Sequence, residues 1–218
     1  MPRKRLVSAA AVEGKRVLVR ADFNVPQNER GEIADDRRIL EALPTLRYLR
    51  ERGARTVLMS HLGRPKGRPD PRWSLRPVAE RLAGYLGCPV PLLDPITGPG
   101  PIERVNALAN GQFALLENLR FDPGEEANAS DFAEALARLG DLFVEEAFGT
   151  VHRAHASTVG VAKRLPAYAG FLVDREVEEL SKLLDHPARP FVTILGGAKV
   201  SDKLPLLRSL PGRVDRIL

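Results

Sequence analysis

The feature that most constrains this chain is a rhythm. Short apolar, β-branched runs alternate with stretches of helical periodicity through most of its 218 residues. Residues 16–22 (RVLVRAD) read as a strand, and Phe23-Asn24-Val25-Pro26 as the loop after it. Residues 36–52 place Ile39, Leu43, Leu46 and Leu49 at helical spacing, with Asp35 or Asp36 as cap and Gly53 as stop. Pro44 inside that pattern predicts a kink or a division. Residues 55–60 form the next strand. Ser74 caps a helix running to Leu86, which Gly87 ends. A strand over 89–93, a helix over 102–109 and a strand from Phe113 to Leu116 follow. A helix starting at Asn128 or Ser130 and ending at Gly140 leads to a strand over 141–145. Such alternation predicts βαβ units and a doubly wound parallel sheet, a Rossmann-like three-layer α/β fold.

The rhythm changes after Gly149. Residues 150–170 read as irregular, and 174–184 as a helix with an acidic first turn. His186 reads as a cap at the end of that helix. A strand over 191–195, a glycine turn, a helix over 201–210 and a strand over 214–218 come next. A strand-helix-strand unit of this size cannot bury its own faces well. The expected organisation is a first domain over 1–170, a hinge helix over 171–187, and the incomplete, truncated start of a second α/β domain over 188–218.

Composition adds two constraints. Hydrophobic residues make up 44% and charged residues 28%, which excludes disorder throughout. No apolar run approaches the ~18 residues of a membrane helix, and the basic N-terminus lacks the apolar core of a signal peptide. The lone Cys88 suits a reducing cytoplasm and reads as a packed side chain rather than a nucleophile. The net charge is +5, with 26 arginines and 7 lysines. That excess fits a nucleic-acid surface, an anion site built from guanidinium forks, or a bias of codon usage.

Position along the chain separates these readings. In open α/β sheets, ligands bind beyond the carboxyl ends of the strands. There the sequence delivers Asp22 and Asn24, then Arg38 entering the next helix. It also delivers His61 and Arg64, then Arg120, then His152, Arg153 and His155. The shared position predicts a small polyanionic ligand, with Asp22 and Asn24 orienting its hydroxyls. The loop around Lys66, Arg68 and Arg72 reads as a solvated basic loop anchored by Trp73. His152 and His155 near Glu145 and Glu146 are spaced too loosely for a metal site. The turn GGAKVSDK, residues 196–203, joins a strand to a helix in the manner of a phosphate-binding loop. Lys199 and Lys203 there can share one helix face.

Six segments together resemble phosphoglycerate kinase: RVLVRADFNVP (16–26), DDRRILEALPTL (35–46), SHLGRP (60–65), LLENLRF (115–121), AFGTVHRAHAS (147–157) and ILGGAKVSDK (194–203). The resemblance implies a monomeric, cytoplasmic, two-domain glycolytic kinase without nucleic-acid or membrane partners. It implies 3-phosphoglycerate or 1,3-bisphosphoglycerate on the first domain, held by Asp22, Asn24, Arg38, His61, Arg64, Arg120 and Arg153. It implies ATP or ADP, with the Mg2+ that the nucleotide carries, on the second domain against Gly197, Lys199 and Lys203. The protein's ligand to that ion is expected in the part of the family fold beyond this chain. Arg38 and Lys199 take the catalytic roles. The chain departs from the family in carrying Glu145-Glu146 where Asn-Asp is usual, and Pro205 in the helix after the glycine turn.

Overall fold

The computed structural model describes residues 5–185, 187–196 and 204–218. They form two compact units, the first running to Arg175 and the second beginning at Glu176.

The first unit is built on a six-stranded parallel sheet. Its strands are β1 (Arg16–Arg20), β2 (Arg55–Met59), β3 (Leu92–Leu93), β4 (Phe113–Leu116), β5 (Leu142–Glu145) and β6 (Ala167–Ala169). They lie in the order β3-β4-β2-β1-β5-β6. β1 is the central register: Val17 faces Thr56 on one side and Leu142 on the other, Val19 faces Leu58 and Val144. Because side chains alternate across a strand, β1 feeds two cores at once. Val17 and Val19, with Leu58, Leu115 and Val144, pack against α1 (Arg37–Glu51) and α2 (Arg76–Leu86). Leu18, with Val57, Met59, Leu116 and Phe143, packs on the other face against α3 (Pro99–Asn106) and α5 (Ser130–Ala137). A short α4 (Pro123–Glu126) precedes α5. The result is the three-layer α/β architecture that the alternation predicts. Each fully buried Leu, Val or Phe in these layers contributes roughly 1.5–3 kcal/mol of transfer free energy.

Several boundaries differ from the sequence reading, each for a physical reason. Pro44 does not divide α1, whose helical residues are continuous; the helix buries Leu43, Thr45 and Leu46 around it. Asp36 stands at the start of α1 without capping it, because its carboxylate is taken by Arg81 (2.5 Å) and Tyr85 (2.6 Å) of α2. Ser74 sits two residues before the start of α2; its Oγ accepts from the Arg76 N–H at 3.2 Å and donates to Glu117 at 2.7 Å. The stretch after Gly149 is not irregular throughout. It contains a π-helical turn (Ala156–Gly160) and strand β6, which extends the sheet beyond β5. α6 starts at Phe171, so Asp174 alone of the expected acidic residues lies in its first turn.

The start of α6 is held by the first unit's own side chains. Thr45 Oγ1 of α1 accepts from the Phe171 N–H at 2.9 Å. The Glu146 carboxylate accepts from the Leu172 N–H at 3.2 Å. The boundary between units falls inside this helix (Phe171–Asp185).

In the second unit, β7 (Val192–Thr193) and β8 (Arg216–Ile217) form a two-stranded parallel sheet. α7 is described over Leu204–Ser209, with Pro205 in its first turn. Leu210 is buried, whereas Val192, Ile194, Leu204, Leu206, Ile217 and Leu218 are exposed.

Candidate anion site at the carboxyl end of the sheet

All six strands of the first unit run parallel, so their carboxyl ends share one edge. β1 sits where the strand order turns, with β2 on one side and β5 on the other, which is where α/β sheets open a crevice. The loop after β1 carries Asp22 and Asn24. The Asp22 Oδ1 accepts from the Asn24 N–H at 3.1 Å, and its Oδ2 pairs with Arg38 from the first turn of α1. Gly149, after β5, lies against that pair. A Cβ there would stand 2.8 Å from Asp22 Oδ2, so only bare backbone fits.

The Gly63 backbone joins two loops. Its N–H donates to Asn24 Oδ1 at 2.8 Å, and its carbonyl accepts from Arg120 Nη1 at 2.8 Å. Gly63 has φ of 62°, and a Cβ would lie 2.2 Å from the Trp73 ring. Trp73 thus packs on the loop backbone that precedes Arg64. Arg120, itself buried, sits with Nε 3.2 Å from Glu126 Oε1 but without hydrogen-bond alignment.

Beneath this layer is a buried polar chain. Arg20, the last residue of β1, is 1% exposed, and His61, two residues beyond β2, is 3% exposed. The Arg20 guanidinium donates through Nη2 to His61 Nδ1 at 3.1 Å and through Nε to Ser157 Oγ at 2.8 Å. Ser157, in the π-helical turn, donates its hydroxyl to Glu125 Oε1 at 2.6 Å and its N–H to Oε2 at 3.0 Å. His155 Nδ1 lies 3.7 Å from the same carboxylate. Burial, reinforced by the charges of Arg20, Arg120, Arg153 and His155, pushes the His61 pKa down to about 2. His61 is therefore neutral at any physiological pH. Burial works to raise the Glu125 pKa, but His155, Arg20 and the Ser157 hydrogen bonds outweigh it and hold the carboxyl below its ordinary range.

The comparisons with known proteins agree on one family. The family model for phosphoglycerate kinase matches residues 7–218. The chain belongs to the phosphoglycerate kinase family. It is 56% identical to the phosphoglycerate kinase of Chloroflexus aggregans over 207 residues, covering 94% of this chain and 52% of that protein. It is 57% identical to the Rubrobacter xylanophilus phosphoglycerate kinase over 215 residues, covering 99% of this chain and 54% of the relative. The solved phosphoglycerate kinase of Coxiella burnetii superposes with a TM-score of 0.88 at 43% identity, over 99% of this chain and 54% of that one. That of Pyrococcus horikoshii gives 0.89 at 32% identity. The chain thus spans about half the length of the phosphoglycerate kinases it matches.

Within this phosphoglycerate kinase frame, the contacts above join Asp22 to Asn24 and Arg38, and Asn24 through the Gly63 backbone to Arg120, while His61 belongs to the buried chain of Arg20. Arg64 follows Gly63 on the exposed part of the same loop. Arg153 is exposed in the loop after β5; its carbonyl accepts from Thr158 Oγ1 at 2.7 Å, and its charge is felt at His61 and Arg120. Gly197, Lys199, Lys203 and His186 lie outside the described residues. Sequence reasoning passed over Arg20, Glu125 and Ser157. One signal was available for Arg20: an arginine closing an otherwise apolar central strand must find partners or stay unburied. Nothing in the sequence marks Glu125 as buried, since it stands in an acidic, polar stretch (DPGEEANAS).

Glu145 and Glu146 lie beside this network. Glu145 Oε1 accepts from the Ala147 N–H at 2.9 Å, while Glu146 holds the start of α6. Burial pushes Glu145 up to about 8 and Glu146 up to about 7. Among the described residues no cluster of three or more His, Cys, Asp or Glu could hold a metal ion. Nor is any helix there long and apolar enough to cross a membrane.

Proposed function

We propose that the first unit is the acceptor-binding part of a phosphoglycerate kinase. It takes 3-phosphoglycerate or 1,3-bisphosphoglycerate at the carboxyl end of the sheet, in phosphoryl transfer between 1,3-bisphosphoglycerate and ADP. The observation that carries the reading is the convergence of Arg38, His61, Arg64, Arg120 and Arg153, with Asp22 and Asn24 at one rim, on one sheet edge. A small acid with a phosphate and a carboxylate needs several cationic donors and a group for its hydroxyl. This edge offers both.

Domain roles belong to the same proposal: 1–170 for the acceptor, 171–187 as hinge helix, and 188–218 as the start of a nucleotide-binding domain. Gly197, Lys199 and Lys203 would face the nucleotide phosphates there. The Mg2+ would arrive with ATP or ADP and supply charge neutralisation over the transferred group. The enzyme would work as a cytoplasmic monomer.

Phosphoryl transfer asks little covalent chemistry of side chains; it asks for in-line positioning and positive charge over the equatorial oxygens. Arg38 is suited to this, being exposed at its tip and braced by Asp22. His61, kept neutral, donates a hydrogen bond without adding charge. Lys199 takes the role of a mobile point charge on the transferred group.

Isothermal titration with 3-phosphoglycerate is the test. One-to-one binding is expected, weakened about 100-fold by Arg38→Ala or Arg64→Ala, since each removes a charge-assisted contact. A folded sample that does not bind overturns the reading. Tight duplex or single-strand DNA binding that collapses with salt would put a nucleic-acid module in its place.

A further inference from the structure

The buried chain behind His61 has a direction. A carboxylate can only accept, so Ser157 must donate its one hydroxyl proton to Glu125 Oε1, at 2.6 Å. The Ser157 oxygen is then left as an acceptor, and it faces Arg20 Nε at 2.8 Å. A guanidinium can only donate, so His61 Nδ1, 3.1 Å from Arg20 Nη2, must be the unprotonated nitrogen. The ring proton is thereby assigned to Nε2. Every link from Glu125 to His61 has its polarity set by the link before it.

We propose that Glu125 is a positioning residue that acts through Ser157 and Arg20 to hold His61 as an Nε2–H donor toward the acceptor's anionic oxygens. The inference rests on the acceptor-site reading above for its functional consequence, though not for the orientation of the ring. Three observations support it. Glu125 and Ser157 are 0% exposed, and Arg20 is 1% exposed, so water cannot substitute at any link. Among the described residues, the buried side-chain atoms lacking a partner are Thr56 Oγ1, Arg120 Nε and Thr193 Oγ1. Every atom of the Glu125–Ser157–Arg20 chain is thus engaged, and His61 Nε2 is not sealed without a partner. Finally, the Glu125 carboxylate feels the Arg20 charge across Ser157, so one end of the chain carries a negative group that matches the guanidinium in its middle.

The arrangement also accounts for why His61 must not charge. With three arginines near it, a protonated ring would add repulsion and lose its acceptor for Arg20. A neutral ring with a fixed tautomer adds direction to the anion contact. Second-sphere carboxylates orient histidines at metal centres by the same logic. Here the relay passes through a serine and an arginine.

Glu125→Gln breaks the polarity while nearly conserving shape. The amide offers one acceptor where the carboxylate offers two. Either the Ser157 N–H or the Ser157 hydroxyl then faces an NH2 group. If it is the hydroxyl, its proton must turn toward Arg20 Nε, donor against donor. Ser157→Ala is the second variant, which removes the middle link and changes packing least.

The experiment is two-dimensional 1H–15N NMR of the histidine ring nitrogens, with His61 assigned by His61→Gln, in the chain without ligand. Titration with 3-phosphoglycerate accompanies it. The wild-type His61 ring should report a single Nε2–H tautomer. Both variants should populate the Nδ1–H form, and acceptor affinity should fall about tenfold in each. A wild-type ring that already mixes tautomers overturns the relay. So do variants that melt earlier yet keep a pure Nε2–H signal, because that is a structural role alone. If the tautomer switches as expected but even the wild type binds no 3-phosphoglycerate, the relay stands and the acceptor-site reading falls.

Discussion

The two layers at the proposed anion site are built on opposite terms. The lower layer, Arg20, His61, Glu125 and Ser157, is shut away from water and hydrogen-bonded link by link. The upper layer, Arg38, Arg64 and Arg153, is exposed, and Arg38 keeps 49% of its side chain in solvent even while paired with Asp22. In the lower layer a lost partner leaves a buried charge or donor uncompensated, which is costly. In the upper layer water replaces a lost partner, so the same residue type contributes little to stability and can be spent on ligand. A charged residue's role follows from what replaces its partner when it is removed.

Breaking the lower layer should have the largest effect. Arg20→Met leaves Ser157 and His61 without their shared donor and takes away a charge that favours the ionised Glu125 carboxyl. Unfolding in urea should show a loss of about 3–5 kcal/mol. A loss below 1 kcal/mol would show that water reaches this layer and would erase the contrast.

The next effect sharpens the comparison through pH. Glu145 and Glu146 have folded pKa values raised to about 8 and about 7 by burial, against 4.5 as ordinary glutamates. Raised carboxyl pKa values mean the folded state binds more protons, so stability falls as pH rises through those values. Across pH 6.5 to 8 the folded His61 ring is already neutral while the unfolded ring, with its ordinary value of 6.5, sheds its remaining charge, a smaller opposing effect that leaves the two glutamates dominant. Stability should fall by on the order of 2 kcal/mol across that window. Glu146→Gln should flatten the slope. At the acid end the sign reverses. Asp141 and Glu125 have depressed folded values, and their contribution is lost as pH drops below the ordinary carboxylate range. A flat profile from 6.5 to 8 in the wild type would contradict the burial of these carboxylates.

The smallest effect belongs to the upper layer. Arg38→Ala and Arg64→Ala should leave the urea midpoint within about 0.5 kcal/mol of wild type, even where acceptor affinity is lost. A large destabilisation from either would place it in the lower layer.

What the sequence made legible follows the same division. β4 reads as Phe113–Leu116 in both sequence and structure because a short apolar run is fenced by Gly111-Gln112 and Glu117. β1 and β2 start where their β-branched runs start. β6 escaped notice because Ala167–Ala169 is three residues, half-buried throughout, between Pro166 and Gly170. Only its pairing with β5 makes it a strand. The loop-borne residues Asp22, Asn24, Arg38, His61, Arg64, Arg120 and Arg153 could be picked out because strand ends are marked by apolar runs. The buried supports could not. Glu125 becomes a core residue only when the π-helical turn folds over it, and turn geometry of that kind has no local sequence signature.

One consequence follows from Gly63, whose backbone N–H and carbonyl are both committed, one to Asn24 and one to Arg120. With Trp73 against its Cα, the two peptide planes that meet at Gly63 are each held by one of these hydrogen bonds. The backbone under Arg64 is therefore ordered once, during folding, and not again at each encounter with a ligand. What an arriving anion must still immobilise is the Arg64 side chain, an ordering cost of about 0.5–1.5 kcal/mol.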